Sequence, residues 1–490
     1  MSFSEYFSNY IKSYNISLPK LAKILNMERS TLYRYMNGDR LPKNIQTVEY
    51  IANGLCMKTN ERIQFLEEYD KSVLGDDIVN SYLYMYKLLK ELLNVDDFFK
   101  SKYTFYEKTL MKGFSENEDY VKLTSKPSII SYVIRMFQQC ANSTDIKQRV
   151  MLYIQPAYTE IQELLLPFFS NKNIQVDHVI CFEKSIEKCY INLDILKEIL
   201  PQSFNLSNYN IYYHYDNLTS HLNTLSLLPN LIITEKCTLM FDYEMHSGFF
   251  TTNQTLIKYF TEHFDNLSMG CFSLFEKGDF ANNVAQMNSA VAGKKVGSLF
   301  NQPCVSPCLD IELLKESIYD SPQKEILLET ALLQNGNWNG MEHFGGQSEV
   351  IHITSCCTKN GIIQLAETGR IVEIPEQYYE PISINHRINV LKRMILLMES
   401  EKCSYIVLKN NISLPSSMQI YWNPTDREVS FRYIRKDSLI QSGIKETSIY
   451  NTVINFLQYI EQKNLAFTQK ECVDFIRGLI ENLERNRYGY

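Results

Sequence analysis

The stretch from Ile16 to Asn44 carries apolar residues at the spacing of two short helices joined by a tight turn. The pattern breaks at Asn26-Met27, and Asn37-Gly38 ends the second helix, because glycine commonly follows a helix C-terminus. The buried face is predicted to comprise Leu18, Leu21, Ala22 and Leu25 in the first helix and Leu32, Tyr35 and Met36 in the second. The opposite face of the second helix then carries Arg29, Ser30, Thr31, Tyr33 and Arg34.

Further helices are predicted on both sides of this pair. They cover Phe3–Tyr14, Ile45–Leu55 and a segment from Thr59 to about Gly75. Five short helices of this kind predict one compact all-α domain over residues 1–75. A longer amphipathic helix, Asp76–Asn94, follows it. This helix either packs on the next domain or pairs with its twin in a dimer.

From Pro127 onward, strands and helices alternate, which predicts α/β layers with a mainly parallel sheet and an antiparallel edge. Asn230–Tyr243 reads as a β-hairpin with a two-residue turn. The order of elements in Pro127–Phe264 and Glu349–Gln462 is broadly parallel, which suggests two similar halves. The predicted fold class is therefore α+β and multidomain, with an all-α helix-turn-helix domain followed by a large α/β sensor region. The predicted domains are 1–75 (all-α), 76–126 (helical linker or dimerisation segment), 127–300 and 301–490 (two α/β domains, the second with C-terminal helices).

Three local predictions concern the second half of the α/β region. Ile362–Ala366 is predicted as a short element and Arg370–Ile374 as a strand, whereas Asn335–Gly346 is the most loop-like stretch. Thr468 to Glu471 has the sequence of a capping box, which begins the final helix.

Charge distinguishes the N-terminal stretch from the rest of the chain. Met1–Asn44 contains seven basic and three acidic residues, a net charge of +4 in a chain whose formal charge is −7. A basic end on an acidic chain is typical of a nucleic-acid-binding module. Arginine can bridge two acceptors on guanine, and hydroxyl groups can meet bases or phosphates. The polar face of the second helix is therefore predicted to enter the major groove of DNA; the alternative is a structural helical hairpin.

The same stretch resembles the helix-turn-helix of the Xre and lambda-repressor-like family of bacterial and phage regulators. The matching residues are Leu21-Ala22, Arg29 to Leu32, Arg34, Asn37 to Pro42, and Val48, Ile51, Ala52 and Leu55 of the family's fourth helix. The resemblance implies that double-stranded DNA is the partner. In this interpretation Arg29, Ser30, Thr31, Tyr33 and Arg34 face the major groove, and Lys20, Arg40 and Lys43 hold phosphates. A homodimer would place two such helices about one DNA turn apart.

Composition excludes several classes of protein. Hydrophobic residues make up 45% of the chain and charged residues 21%, which is typical of a globular protein. No apolar run approaches the ~20 residues that span a bilayer, and the N-terminus lacks a signal-peptide pattern. The predicted location is thus the cytoplasm, with no membrane partner. The 12 cysteines lack zinc-site spacing, even at Cys304 and Cys308, so no metal site is predicted.

Sequence motifs for catalysis are absent. The chain contains no phosphate-binding loop, no Gly-x-Ser-x-Gly nucleophile elbow and no His-Glu-x-x-His. No catalytic residue, no cofactor and no enzymatic activity are therefore predicted. The order strand, turn, strand, loop, helix in Leu231–Phe264 is loosely similar to the phospholipase-D-like effector halves of some transcription regulators. The His-x-Lys pattern of that superfamily is not present.

Candidate ligand-binding residues lie at strand ends, where ligands of α/β sheets bind. Tyr213, Tyr215 and Asp216 end one predicted strand, Asp242 follows another, and Trp338 and His343 lie in the glycine-rich loop. Acidic side chains beside aromatic ones would suit a cationic or peptide ligand. The alternative is that the tyrosines simply pack the sheet.

The combined prediction is a cytoplasmic, one-component transcription regulator that binds specific DNA sequences. Its α/β region would sense a small-molecule or peptide effector and set the geometry of a homodimer. Two alternatives stay open. One is an enzyme or defence effector, nuclease- or phosphodiesterase-like, that uses the helix-turn-helix for localisation or assembly. The other is an interaction scaffold.

Overall fold

The computed structural model shows an α+β protein, as the sequence predicts, and its described part contains two mixed β-sheets. The described residues are 1–93, 120–143, 148–170, 173–184, 190–217, 228–275, 296–309, 311–320, 324–325, 328, 353–374, 376–409, 412–435 and 438–487. Two compact units are present: the first unit comprises Met1–Met85 and Asn451–Lys463, and the second unit comprises Tyr86–Tyr450 and Asn464–Tyr490. Within the described residues, no helix has both the length and the apolar character needed to cross a bilayer.

The helices are numbered along the chain. They are α1 (Phe3–Ser13), α2 (Leu18–Ile24), α3 (Arg29–Asn37), α4 (Ile45–Gly54), α5 (Thr59–Leu74), α6 (Asp76–Leu92), α7 (Lys126–Ala141), α8 (Thr159–Phe169), α9 (Tyr190–Asn205), α10 (Gln254–Met269), α11 (Ile311–Ser317), α12 (Lys359–Thr368), α13 (Ile384–Glu399), α14 (Thr447–Gln462) and α15 (Gln469–Arg487). The capping box predicted for the last helix is present, because Thr468 and Glu471 exchange side-chain to backbone hydrogen bonds.

The strands are numbered in the same way. They are β1 (Val121–Leu123), β2 (Gln148–Tyr153), β3 (Ile174–Glu183), β4 (Tyr209–Asp216), β5 (Asn230–Thr234), β6 (Thr238–Phe241), β7 (Gly248–Thr251), β8 (Phe272–Ser273), β9 (Val296–Leu299), β10 (Ile353–Thr358), β11 (Cys403–Leu408), β12 (Met418–Asn423), β13 (Glu428–Arg435) and β14 (Ser438–Ile444).

An aromatic cluster forms the centre of the first unit. The ring centroids of Phe3 and Phe65 lie 4.9 Å apart, and Phe7 lies 5.6 Å from Phe65. Burying an aromatic side chain of this size contributes roughly 1.5–3 kcal/mol. These rings join α1 to α5, and α1 also packs against α3. The five predicted helices of this part of the chain are all present.

The first unit also contains a segment from the other end of the chain. Asp70 on α5 forms an ion pair with Lys463, at 2.7 Å, and accepts a hydrogen bond from the Tyr459 hydroxyl, at 3.1 Å. Tyr82 on α6 stacks on Tyr459 with a centroid distance of 4.0 Å. The predicted domain boundary after residue 75 thus lies inside this unit. Local sequence patterns do not reveal which distant segment completes a core.

The first sheet has the strand order β1-β7-β6-β5-β2-β3-β4-β8. Only the pairs β2–β3 and β3–β4 are parallel; β5 joins β2 antiparallel and continues into β6 and β7. The predicted hairpin is confirmed as β5–β6. The prediction of a mainly parallel sheet is wrong here, because β7, which follows a tight turn after β6, adds a third antiparallel strand.

The second sheet has the order β11-β10-β9-β12-β13-β14. Here β9, β10 and β11 are parallel, and β12, β13 and β14 form an antiparallel meander beside β9. The prediction placed residues 296–299 at the end of the first α/β domain, whereas they form the central strand of the second sheet. A small-residue segment such as this one carries little strand signal of its own.

Six strands of the first sheet, β2 to β7, have the same arrangement as the six strands of the second sheet, whereas β1 and β8 have no counterpart among the described strands. In each sheet, the central strand (β2 or β9) and the two strands on one side of it are parallel, and an antiparallel meander of three strands lies on its other side. A helix follows each meander, α10 in the first half and α14 in the second. The suggestion of two similar halves therefore holds at the level of topology.

One region of the second half differs from the prediction. Ile362–Ala366 belongs to α12, whose N-cap Thr358 accepts a hydrogen bond from the Gly361 amide and whose end is the left-handed Gly369. Arg370–Ile374 is not a strand. The Tyr379 hydroxyl accepts from the Ile371 amide, so a side chain rather than a neighbouring strand satisfies this backbone.

A buried histidine lies between the first sheet and its helices. His178 is fully buried, and its Nε2 lies 2.9 Å from the Ile154 carbonyl oxygen. A carbonyl only accepts, so Nε2 carries the proton and Nδ1 accepts from the Tyr209 hydroxyl at 2.6 Å. The neutral ring is fully satisfied, and burial lowers the pKa of His178 to about 4.

This histidine makes the stability of the second unit dependent on pH. The unfolded chain gains a proton on residue 178 below its ordinary pKa, whereas the folded chain does not until about pH 4. Stability is therefore complete above the unfolded pKa and falls as the pH drops. We expect roughly 2 kcal/mol less free energy of unfolding at pH 5 than at pH 7, measured by urea denaturation. His178→Gln should flatten this dependence, and the exposed His246→Gln should not.

Candidate DNA-binding surface

The turn between α2 and α3 is closed by an asparagine in the left-handed conformation. Asn26 has φ of 44°, and the Met27 amide donates to the Ala22 carbonyl at 3.0 Å. Asparagine tolerates this conformation because its short polar side chain reduces the steric penalty. The turn brings Met27 back against the core, so that α3 starts at Arg29 with its direction fixed.

The same device recurs at two other turns of the first unit. Asn15 and Cys56 have φ of 48° and 51°, and each is followed by an apolar residue packed on the core, Ile16 and Met57. In both turns that apolar residue donates its amide to a carbonyl five positions back, Ile11 or Ala52. Three like turns thus set the angles between helices.

Helix α3 has a buried and an exposed face. Leu32 and Tyr35 are buried, as predicted. Of the predicted DNA-contacting residues on this helix, Arg29, Ser30, Tyr33 and Arg34 are exposed, and Thr31 is half-buried. Gly38, with φ of 82°, ends the helix in the left-handed conformation. The structure thus brings these five residues to one helix, and their contact with DNA stays a prediction.

Local interactions occupy part of this face. The Ser30 hydroxyl donates to Glu28 Oε2 at 3.2 Å, and Glu28 makes no side-chain cap bond to α3. The Arg29 guanidinium lies over the Tyr33 ring, 5.9 Å from its centroid. A cation at this distance from an exposed ring gains about 0.5–1 kcal/mol. The Arg29 side chain is thereby aligned along the exposed face.

A basic loop, Arg40–Lys43, follows α3. Arg40 and Lys43 are exposed, and Pro42 between them is buried. The Tyr69 hydroxyl donates to the Pro42 carbonyl at 3.0 Å. At the other end, the Asn44 side chain caps α4 by accepting from the Thr47 amide at 3.0 Å. The loop is therefore held at its middle and at its end while its two cations face solvent.

The cations of this surface have no acidic partner in the described part of the chain. No ion pair between described residues includes Lys20, Arg29, Arg34, Arg40 or Lys43. Arg62 of the same unit, by contrast, bonds to Asn53 and pairs with Glu49. Lys23, which is also exposed on α2, likewise has no ion pair among the described residues. These six positive charges outnumber the two carboxylates of the same stretch, Glu28 and Asp39, so this surface is suited to a polyanion.

The predicted ligand residues of β4 do not form one cluster. Side chains alternate across a strand, so Tyr213 and Tyr215 share one face and Asp216 lies on the other. Tyr213 is buried, and its ring meets that of Tyr215 edge-on at 5.6 Å. The Tyr215 hydroxyl donates to Glu446 at 2.9 Å, and burial together with the Glu446 carboxylate raises the pKa of Tyr215. Both tyrosines contact other residues of their own unit, and their role in binding a ligand stays a prediction.

Asp242 stabilises the turn between β6 and β7. Its carboxylate accepts from the His246 amide at 2.8 Å, between β6 and β7. In the sheet, β6 lies four strand positions from β4, a separation of about 19 Å at the usual strand spacing. Asp242 therefore does not share a site with Tyr215. Trp338 and His343 lie outside the described residues.

The sequence analysis missed Tyr69 and Asp70, which lie side by side on α5. Tyr69 holds the basic loop, and Asp70 binds Tyr459 and Lys463. Nothing in the local pattern marks them, because their partners are distant in sequence. Among the described residues, no three His, Cys, Asp or Glu side chains are arranged to hold a metal ion.

No protein-family model matches this sequence, and no curated protein matches it. Membership of the Xre family is thus not confirmed. Among solved structures the chain is similar to TrmBL2, an archaeal chromatin protein described as showing a novel mode of DNA binding. The identity is 8%, with 44% of this chain and 71% of that one covered and a TM-score of 0.23.

Two enzymes also show a likeness. The polyphosphate kinase of Porphyromonas gingivalis is 12% identical, with 75% of this chain and 56% of that chain covered, at a TM-score of 0.22. The phosphatidylserine synthase of Haemophilus influenzae Rd KW20 is 10% identical, with 76% and 94% covered, at 0.23. Likenesses this weak carry no argument about function, which has to come from the residues themselves.

The left-handed turn at Asn26 can be tested by substitution. Asn26→Val should lower the free energy of unfolding of the first unit by about 1–2 kcal/mol, because a β-branched side chain clashes in this conformation. Asn26→Gly should be near neutral. Asn15→Val should cost a similar amount, because Asn15 has the same left-handed conformation in the turn between α1 and α2. Urea denaturation measures all three, and equal stability of the Val and Gly variants at position 26 would contradict the assigned turn.

Proposed function

We propose that the first unit binds double-stranded DNA through the exposed face of α3 and the basic loop Arg40–Lys43. The observation that carries this proposal is the set of six cations on α2, α3 and the loop that lack acidic partners among the described residues, namely Lys20, Lys23, Arg29, Arg34, Arg40 and Lys43. Phosphate contacts supply most of the affinity of such surfaces, and base contacts supply specificity.

The proposed roles follow from position. Arg29, Ser30, Thr31, Tyr33 and Arg34 face the major groove. Lys20, Arg40 and Lys43 contact phosphates on either side of it. The likeness of these residues to the Xre helix-turn-helix supports the same assignment. A homodimer would place two copies of α3 on a two-fold-related site, as related modules do.

We further propose that the protein is a cytoplasmic transcription regulator whose second unit binds a small molecule or peptide and performs no catalysis. Two of its thiols are poorly suited to nucleophilic catalysis, because burial raises the pKa of Cys181 and of Cys237 to about 12. Such thiols stay protonated near neutral pH and are poor nucleophiles. An effector can change DNA affinity only if it binds two arrangements of the protein with different strength.

DNA binding can be tested with variants of the full chain. Arg29→Ala or Arg34→Ala should weaken binding to a promoter fragment of the native locus by about 1–3 kcal/mol for each base that the side chain no longer reads. Binding to a random duplex of equal length should change less. Lys43→Ala should weaken binding to both duplexes by the same factor. It should also lower the magnitude of the slope of log K against log salt by about 0.9. Fluorescence anisotropy over a salt series measures each quantity.

Arg62→Ala is the matched control, because it removes one positive charge from the same unit at a residue that already has partners. Its affinity and salt slope should equal those of the unaltered protein. If neither Arg29→Ala nor Arg34→Ala differs from this control, α3 is not the DNA-contacting helix.

A further inference from the structure

A buried carboxylate in the first unit has its partners in a distant part of the chain. Asp70 is 7% exposed, and its two oxygens are taken by Lys463 Nζ at 2.7 Å and the Tyr459 hydroxyl at 3.1 Å. A charge this buried needs compensation, because its transfer from water is costly when it is unpaired. Lys463 and Tyr459 therefore make the buried position of Asp70 possible.

The segment Asn451–Lys463 is fixed at further points. Asn455 donates to the Ser81 hydroxyl at 3.2 Å. Tyr82 stacks on Phe456 with a centroid distance of 5.7 Å and on Tyr459 at 4.0 Å. These contacts run along the same helix as those to Asp70. The segment is thus a packed part of the first unit rather than a passing neighbour.

Helix α5 connects this segment to the basic loop. Tyr69 and Asp70 are adjacent, and neighbouring residues of a helix point about 100° apart. Asp70 therefore faces Lys463 while Tyr69, which is buried, reaches the carbonyl of Pro42 at 3.0 Å. Pro42 lies between Arg40 and Lys43. A shift of α5 would move the anchor of the loop that carries both cations.

We propose that Asn451–Lys463 is a positioning segment for the DNA-binding surface. Lys463 and Tyr459 fix Asp70, Asp70 fixes this part of α5, and Tyr69 transmits that position to the loop Arg40–Lys43. Tyr69, Asp70, Tyr459 and Lys463 are positioning residues, since none of them is required to touch DNA. The inference rests on the proposed function of the first unit. It assigns to a second chain segment, Asn451–Lys463, a role in that function.

The test uses full-length variants that each remove one link. Tyr459→Phe and Tyr69→Phe remove single hydroxyl groups, Lys463→Met removes the charge, and Lys463→Arg keeps it. The first three should lower DNA affinity by roughly 3- to 30-fold, the range seen when a residue outside a site modulates it. They should also lower the salt slope by about 0.9 for each phosphate that the loop no longer neutralises, and Lys463→Arg should restore both.

Ser81→Ala is the matched control. It removes a hydrogen bond of the same segment without breaking the chain of bonds from Lys463 to Pro42. Any loss of stability that it causes should leave the salt slope unchanged. If Ser81→Ala and Tyr459→Phe have the same effect on the salt slope of DNA binding, the segment contributes only general stability. The positioning role is then overturned.

A second measurement separates this inference from DNA binding itself. Amide hydrogen exchange in the absence of DNA reports on the Arg40 amide, which bonds to the Arg34 carbonyl at 3.4 Å. Tyr459→Phe and Tyr69→Phe should speed its exchange, and Ser81→Ala should not. Absence of DNA binding by the unaltered protein would refute the proposed function alone. Unchanged exchange at Arg40 in both tyrosine variants would refute the positioning segment.

Discussion

The first unit depends on a charge that cannot be buried by the N-terminal residues alone. Asp70 lies almost entirely inside the protein, and the groups that compensate it, Lys463 and Tyr459, come from near the other end of the chain. Such a pair adds little net stability compared with apolar packing, but removing one partner costs about 3–5 kcal/mol. Its effect is therefore to specify which segment completes the unit.

This requirement has consequences for folding. The Asp70–Lys463 contact joins residues 393 positions apart in the chain. The aromatic cluster around Phe3 and Phe65, by contrast, joins helices that lie within one short stretch. Attaching Asn451–Lys463 to the first unit therefore costs more loop-closure entropy than forming the helical core.

The topology of the two sheets explains where this segment comes from. In the first half, the helix that follows the meander, α10, packs on the sheet of its own half: Ile257 and Phe264 lie in one cluster with Met151, Val179 and Ile233. The helix in the same place in the second half is α14, and its residues from Asn451 onward belong to the first unit. Two halves of like topology thus use the equivalent helix in different ways.

The sequence predicted the features that depend only on residues close together in the chain. Spacing of Leu18, Leu21, Ala22 and Leu25 located α2, and the alternation of polar and apolar residues located the exposed side of α3. The capping box at Thr468 and the hairpin β5–β6 were found for the same reason. The predictions that are wrong concern tertiary contacts. The strand β9 is central only because it lies beside β10 and β12. The segment Arg370–Ile374 is not a strand because the side chains of Tyr379 and Gln302 accept hydrogen bonds from its backbone.

The residues of the candidate site likewise fall into those that the sequence could identify and those that it could not. The cations of α3 and the basic loop could be named from sequence, because exposure of a charged residue on an amphipathic helix follows from periodicity. Asp70 and Tyr459 could not, because a tyrosine or aspartate on a helix gives no local sign of a partner nearly 400 residues away. Tyr69 could not either, because its partner Pro42 lies 27 residues away on a loop. The separation of Tyr215 from Asp216 has a geometric reason, because adjacent strand residues face opposite sides of the sheet.

A DNA-binding surface whose support includes Asn451–Lys463 differs physically from one carried on an autonomous domain. For an autonomous domain, affinity for a single site is set by that domain, and an effector acts through the spacing of a dimer. Under the positioning that we propose, the free-energy difference between bound and released states of Asn451–Lys463 would enter the DNA affinity of each copy. An effector that favoured one of those states by 1.4 kcal/mol would shift their ratio by about tenfold. Under the same proposal, the DNA affinity of a monomer could be regulated without any change in how two copies are arranged.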